Sequence, residues 1–207
     1  MLDKSEIQEI FERFNQENQS PQSELITHNN FTFAIAVLLS AQTTDKAVNK
    51  STKDLFEIAN TPEKMLSLEI DGIKDYIKTL GLYNNKAKNI IGLSKKLIED
   101  YNSKLPESRD ELEKLPGIGR KSANVIANQL FGFDSIAVDT HVLRVSNRIG
   151  LSKSKNPAGV EKDLLKVIPS KFHKNTSDWL VLHGRYICKA KNPKCSDCFL
   201  YDLCEYT

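Results

Sequence analysis

In this 207-residue sequence, four cysteines and one lysine are the residues whose spacing and neighbours most suggest metal binding or catalysis. The cysteines lie within the last twenty residues with the spacing C-x6-C-x2-C-x5-C, at Cys188, Cys195, Cys198 and Cys204. Disulfides are rare in cytosolic proteins, so we expect four thiolates that bind either tetrahedral zinc or an iron–sulfur cluster. Zinc ribbons usually carry two C-x2-C pairs, and only one is present. The spacing therefore favours a 4Fe–4S cluster and leaves zinc open.

A cationic segment, KAKNPK, separates the first two cysteines. It presents Lys189, Lys191 and Lys194 between two residues that a metal would hold in place. A basic loop fixed at both ends suits contact with phosphate groups, so we expect these lysines to bind a nucleic-acid backbone.

The lysine with unusual surroundings lies in the segment LPGIGRKSA, residues 115–123. Gly117 and Gly119 let the backbone turn tightly and expose its amides, and a helix starting at Arg120 and Lys121 adds its positive end. The pattern resembles a helix–hairpin–helix motif, which grips the DNA backbone without reading bases. A simple turn that joins two helices is the alternative.

Lys121 and Asp139 are the candidate catalytic pair. An amine in the first turn of a helix can serve as a phosphate contact or as a nucleophile. Asp139, in AVDTHVLRVSNR, is the single acidic residue in the basic segment 136–160. Aspartate is a favoured helix N-cap, and capping is compatible with catalysis because a cap fixes the carboxylate. Such a carboxylate could stabilise positive charge on a sugar or transfer protons.

The elements that position these residues are predicted to be helices throughout. Apolar residues recur at helical spacing, and no run alternates with period two. Phe31–Ala41 is apolar on most sides, which predicts a buried helix. Thr61-Pro62-Glu63 predicts a capped helix start, and Ser108–Glu111 predicts a capping box. The fold class is therefore all α.

The net charge of +2 says little about partners, but its distribution says more. Residues 1–30 carry six acidic and two basic residues, whereas residues 136–160 carry Arg144, Arg148, Lys153 and Lys155. This asymmetry could create a positive face that binds phosphates. An unevenly charged solvated surface explains it equally well.

The sequence shows no signal for a membrane. Its longest apolar run, Phe33–Leu39, has seven residues, far below the roughly 18 of a membrane span. The acidic, amphipathic start MLDKSEIQEIFERF lacks the features of a signal peptide. We expect a protein of the cytoplasm, associated with the nucleoid.

Three segments together closely resemble the endonuclease III family of base-excision DNA glycosylases with lyase activity: LPGIGRKSANV, AVDTHVLRVSNR and LHGRYICKAKNPKCSDCFLYDLCEY. The resemblance runs from about Phe31 to the C-terminus and includes LLSAQTTD and TLGLYNNKA. It implies a two-lobed helix–hairpin–helix glycosylase fold, with a six-helix barrel at 25–133 and a cluster-bearing helical domain at 1–24 plus 134–207. It also implies duplex DNA bound across the cleft, and a 4Fe–4S cluster rather than zinc.

The resemblance also implies roles for individual residues. Lys121 would attack C1′ of a nucleotide flipped out of the stack, and Asp139 would be its acidic partner. Gln42 and Leu82 would fill the vacated space, although by residue type alone they predict a helix-end amide and a core side chain. His141 and Glu113 lie beside motif positions and would line the pocket.

The leading hypothesis is a monomeric, bifunctional glycosylase and abasic-site lyase that acts on oxidised pyrimidines in duplex DNA. A lysine nucleophile forms an imine with the opened sugar, which permits strand cleavage by β-elimination. One alternative is a monofunctional mismatch glycosylase, against which Lys121 argues. The other is a non-catalytic helix–hairpin–helix DNA-binding module with a structural metal.

Overall fold

The computed structural model describes residues 2–21 and 23–206, and these residues form helices and turns without a strand. The all-α prediction is therefore confirmed. The chain divides into two compact units, Glu24–Phe131 and Met1–Ser23 with Gly132–Thr207. We call them the hairpin unit and the cysteine unit.

The hairpin unit packs its helices around one apolar core. Its helices are α2 (Asn30–Leu39), α3 (Asp45–Ile58), α4 (Pro62–Ser67), α5 (Glu69–Ile77), α6 (Tyr83–Tyr101), α7 (Arg109–Leu112) and α8 (Arg120–Phe131). Every residue from Phe31 to Leu39 is buried, as the apolar run predicts. The helix ends two residues before Ala41, because Ser40–Thr43 forms a tight turn in which the Thr43 amide donates to the Ser40 carbonyl at 3.1 Å.

The two predicted helix starts in this unit have different outcomes. Thr61 caps α4, since its hydroxyl accepts from the Lys64 amide at 3.3 Å and Pro62 is the first helical residue. The predicted capping box at Ser108 is wrong, because the Ser108 side chain makes no cap hydrogen bond. The Glu111 carboxylate instead accepts from the Tyr101 hydroxyl at 2.7 Å and from Lys114 Nζ at 2.5 Å.

The cysteine unit joins the two ends of the chain. Its helices are α1 (Lys4–Glu17), α9 (Thr140–Ile149), α10 (Pro157–Val167) and α11 (His173–Tyr186), with 3-10 turns at Ser170–Phe172, Cys195–Asp197 and Tyr201–Leu203. Phe14 of α1 stacks on Trp179 of α11 with ring centroids 6.0 Å apart. Arg13 donates to the Phe199 carbonyl at 2.8 Å and to the Asp202 carboxylate at 2.6 Å. The first helix is thus attached to the segment that carries the cysteines.

Among the described helices, none combines the length and the apolar character that crossing a bilayer requires.

Candidate nucleic-acid interface and metal centre

The turn between α7 and α8 depends on Gly117 for its shape. Gly117 has a φ of +79°, and an added Cβ would stand 2.7 Å from Leu38 Cδ1 and 2.8 Å from Asn89 Cβ. A side chain at this position would therefore be strained and would clash. Leu115 and Ile118 are buried on either side and pin the turn to the core.

Gly119 has a different role, because nothing lies within 4 Å of an added Cβ. Its carbonyl accepts from the Ala123 amide at 2.9 Å, so it directly precedes the first turn of α8. The first amides of a helix have no partner within the helix, and the helix end carries partial positive charge. An open surface at this point is suited to an anion such as a phosphate.

Lys121 is exposed in the first turn of α8. Its amine makes no hydrogen bond or ion pair with any residue in 2–21 or 23–206. Two other lysines of the same unit are paired, Lys96 with Asp100 at 2.6 Å and Lys114 with Glu111 at 2.5 Å. The Lys121 amine is therefore accessible from solvent and takes no part in the polar contacts that hold this unit together. Glu113, at the end of α7, is also exposed.

Gln42 and Leu82 share an unusual backbone conformation. Both have left-handed backbone conformations, with φ of 54° and 59°, which residues other than glycine adopt infrequently. Leu82 is also 60% exposed, so the prediction of a core side chain from its type is wrong. A strained, exposed leucine costs stability, and such strain is characteristic of functional positions.

The loops that carry these two residues lie near the hairpin. Gly117 packs against Leu38, at the end of the helix that leads to Gln42, and against Asn89, in the helix that follows Leu82. Lys86 Nζ also donates to the Thr43 hydroxyl at 2.6 Å, which joins the two loops directly. The hairpin unit thus brings together the glycine turn and both exposed residues.

Asp139 begins α9 in the cysteine unit. Its Oδ1 atom accepts from the amides of His141 at 2.8 Å and Val142 at 2.9 Å, so the predicted N-cap is confirmed. Both bonds fall on one oxygen, and Oδ2 has no partner in the part of the chain that the structure describes. His141 Nδ1 lies 3.3 Å from Arg144 Nη2. A half-exposed carboxylate is therefore fixed in direction with one oxygen available.

Arg144 and Arg148 donate hydrogen bonds that stabilise the cysteine segment. Arg144 donates to the carbonyls of Gly184 at 2.8 Å and Cys188 at 3.1 Å. Arg148 donates to the Lys189 carbonyl at 2.7 Å and to the Ala190 carbonyl at 3.2 Å. The charge pattern in the sequence does not reveal this use, because backbone carbonyls leave no signal in residue types.

The four cysteines line one cavity, and all four are free thiols. Burial raises the pKa of the Cys198 and Cys204 thiols, so binding a cluster has to displace their protons. A 4Fe–4S cage needs one thiolate for each of its irons, and four thiols around one cavity fit that need.

The basic segment between the cysteines is exposed. Lys189, Lys191 and Lys194 are all exposed. The backbone of the segment is held by Arg148 and by a 3.0 Å bond from the Lys194 amide to the Ile187 carbonyl. The segment therefore presents three cations on a fixed backbone.

Comparison with known protein families places the chain among base excision DNA repair proteins. The HhH-GPD superfamily of base excision DNA repair proteins matches residues 35–170, and the iron-sulfur binding domain of endonuclease III matches residues 188–204. Endonuclease III of Rickettsia felis is 54% identical over 97% of this chain and 94% of its own length. Endonuclease III of Escherichia coli K12 is 50% identical over 99% of this chain and 97% of its own length.

Solved structures agree with these sequence matches. A trapped endonuclease III–DNA covalent intermediate superposes with a TM-score of 0.92 at 43% identity, covering 100% of this chain and 97% of that one. A thermostable thymine-DNA glycosylase, at 24% identity, shares the fold with a TM-score of 0.84 over 98% of this chain and 94% of that one.

The chain belongs to the endonuclease III family. It is a bifunctional DNA glycosylase and abasic-site lyase for oxidised pyrimidines, its partner is duplex DNA, and its cofactor is a 4Fe–4S cluster. The two-lobed helix–hairpin–helix glycosylase fold inferred from the sequence is confirmed.

The sequence analysis did not single out Lys86 as a candidate site residue. The structure shows that Lys86 is buried, only 5% exposed, next to the loop that carries Gln42. A signal was present, because Lys86 lies four residues before Ile90 and seven before Leu93, on the buried face of α6. A lysine at helical spacing with core residues is unusual, since lysine is almost never fully buried without a partner.

Proposed function

We propose that Lys121 is the nucleophile of this glycosylase and lyase and that Asp139 is its acidic partner. The observation that supports this role most strongly is the state of Lys121: an exposed amine without an intramolecular partner in the described chain, directly after a glycine turn suited to phosphate. A phosphate bound at the amides of the turn would bring the adjacent sugar to the amine.

The chemistry follows from the properties of a primary amine. The neutral Lys121 amine attacks C1′ of a flipped nucleotide, the C1′–N bond breaks, and the base leaves with the electron pair and takes up a proton. Loss of the amine proton and opening of the C1′–O4′ bond give an imine. The imine makes the C2′ proton acidic, and its removal expels the 3′ phosphate as the C3′–O bond breaks.

Asp139 assists at the stages where charge develops or a proton moves. The α9 amides fix the carboxylate through Oδ1, and Oδ2 remains available to stabilise the positive charge on the sugar. The same oxygen can accept a proton from the attacking amine and return one to the departing base. We also assign His141 to the pocket, because the cap that fixes Asp139 includes the His141 amide.

The remaining contacts bind and distort the duplex. The amides around Gly117 and Gly119, together with Arg120, hold the backbone next to the flipped nucleotide. Gln42 and Leu82 occupy the space that the nucleotide leaves, consistent with their exposure and strained backbones. Lys189, Lys191 and Lys194 supply a second set of phosphate contacts.

Cys188, Cys195, Cys198 and Cys204 are the ligands that we assign to the cluster. When bound, the cluster supplies four bonds that cross-link the end of the chain, and it takes no part in base removal. The fixed backbone of residues 188–195 then orients the basic segment toward DNA.

We further propose that the two functional domains have the limits 25–133 and 1–24 plus 134–207. We also propose that the protein acts as a monomer in the cytoplasm, at the nucleoid, where its substrate is found.

The test is borohydride reduction during reaction with duplex DNA that contains an oxidised pyrimidine. The unmodified protein should form a covalent adduct, and Lys121→Gln should lose it together with strand cleavage, by more than about a thousandfold. Lys95→Gln is the matched control, because Lys95 is an exposed lysine on α6 of the same unit. A full adduct with Lys121→Gln would exclude Lys121 as the nucleophile.

The same assay separates the alternatives. Base release without cleavage or adduct would indicate a monofunctional enzyme, and DNA binding without either product would indicate a non-catalytic module.

A further inference from the structure

Lys86 contacts both of the loops that carry the exposed residues Gln42 and Leu82. Its backbone amide donates to the Leu82 carbonyl at 3.0 Å. Its side chain crosses to the other loop, where Nζ donates to the Thr43 hydroxyl at 2.6 Å. One residue therefore links the residue adjacent to Gln42 with Leu82 itself.

Thr43 fixes the backbone on both sides of Gln42. The Thr43 hydroxyl accepts from Lys86 and can donate to the Ala41 carbonyl at 3.3 Å. The Thr43 amide donates to the Ser40 carbonyl at 3.1 Å. These bonds hold the backbone before and after Gln42, the residue with the left-handed conformation.

A second polar contact fixes the approach to Leu82. The hydroxyls of Ser51, on α3, and Thr79, in the turn before Leu82, lie 3.1 Å apart. Since α3 begins directly after the Gln42 loop, this contact also joins the two loop regions. It involves no atom of Leu82, whose side chain stays exposed.

Burying the Lys86 ammonium costs folding free energy. The side chain is 5% exposed, burial lowers the pKa of its ammonium, and no carboxylate pairs with it among the described residues. An apolar side chain of similar length would avoid that desolvation cost. A lysine here therefore indicates a task that a hydrophobic residue would not perform.

We propose that Lys86 is a positioning residue that couples Gln42 to Leu82, so that the two side chains enter the duplex as one rigid unit. This inference rests on the proposed role of Gln42 and Leu82 in filling the space of the flipped nucleotide. Coupling matters because both loops have strained backbones, and the Lys86–Thr43 bond joins the residue next to Gln42 directly to the helix that follows Leu82. A preformed pair lowers the ordering cost of invading the base stack.

The test compares Lys86→Met, Thr43→Val and the double variant. Methionine keeps most of the stem without the ammonium, and valine keeps the shape of threonine without the hydroxyl. Each variant is measured by single-turnover excision of an oxidised pyrimidine from a duplex, and by borohydride adduct formation with a single-stranded abasic oligonucleotide, which needs no flipping. Fluorescence of 2-aminopurine opposite an abasic analogue reports the opening of the duplex.

Each single variant should slow excision from the duplex roughly tenfold, with a matching loss of the 2-aminopurine signal. The double variant should be no slower than the slower single variant, because both changes remove the same bond. Adduct formation with the single-stranded substrate should stay within about twofold of the unmodified protein.

Three results would overturn the inference. Multiplied losses in the double variant would show that Lys86 and Thr43 act independently. A lower salt dependence of binding for Lys86→Met with a silent Thr43→Val would show a direct phosphate contact. Equal losses on both substrates, with a lower melting temperature, would show a general structural role.

Leu82→Ala and Gln42→Ala separate this inference from the proposed function. If neither variant slows duplex excision, the assumption that these residues fill the duplex fails. If both do and the Lys86 and Thr43 variants do not, only the coupling fails.

Discussion

Helices α8 and α9 begin in opposite ways. Helix α8 follows Gly119, which has no side chain to cap it, and the space beside that glycine is open. Helix α9 follows Asp139, whose carboxylate accepts from two amides of the first turn. The positive end of the first helix is open to a ligand, and that of the second is occupied by a side chain of the protein itself.

This difference shows how one property of helices serves two tasks. An uncapped N-terminus can bind an external anion, here the phosphate proposed to lie next to Lys121. A capped N-terminus fixes the capping group, here the carboxylate proposed to assist the reaction. Exchanging the two arrangements would leave the phosphate without a site and the acid without a fixed direction.

Asp139→Asn should separate capping from catalysis and should have the largest effect. Asparagine caps about as well as aspartate, so stability should hold, while excision should slow about a hundredfold because the carboxylate is lost. Asp139→Ala should match that loss of activity and also lose about 1 kcal/mol of stability. Single-turnover kinetics and chemical denaturation measure the two effects.

Equal activity in Asp139→Asn and the unmodified protein would reduce Asp139 to a cap. The comparison of the two helix starts would then concern stability alone.

Alanine at Gly117 and at Gly119 should act differently on the open helix start. Gly117→Ala forces a side chain into a positive φ and against Leu38 and Asn89, so it should cost about 2 kcal/mol of stability. Gly119→Ala meets open space and should cost less than about 1 kcal/mol. Both should weaken binding to duplex DNA, since the added methyl at 119 stands where a phosphate would approach.

Chemical denaturation measures the stability of the two variants, and titration with duplex DNA measures their affinity. Full DNA affinity in Gly119→Ala would contradict a phosphate site at that glycine.

Lys191→Ala should have the smallest effect and tests the second set of phosphate contacts. Loss of one contact should lower the slope of log affinity against log salt by about one, with little change in excision at saturating protein. Lys162→Ala is the matched control, because Lys162 is an exposed lysine on α10 of the same unit. An identical slope for both variants would remove the cysteine segment from the interface.

The helices and the position of Asp139 were accessible from the sequence because each depends on local pattern. Apolar spacing predicts α2, and an aspartate before a periodic segment predicts the cap of α9. The glycine turn could be interpreted for the same reason, since its chemistry lies within five consecutive residues, 117–121.

Features that depend on distant partners were not accessible. The predicted capping box at Ser108 failed because the Glu111 carboxylate accepts from Tyr101, on the preceding helix, and from Lys114. The bonds from Arg144 and Arg148 go to backbone carbonyls more than thirty residues away. Leu82 has a core residue type but lies on the surface, because the strained backbone at the start of α6 turns it outward.

The most direct test of the central claim locates the covalent bond itself. The borohydride-reduced adduct is digested with trypsin and sequenced by mass spectrometry. Trypsin does not cut after an alkylated lysine, so the DNA-linked peptide should span residues 121–144 without cleavage between Lys121 and Ser122. A modified residue at any other lysine would contradict the assignment of Lys121 as the nucleophile.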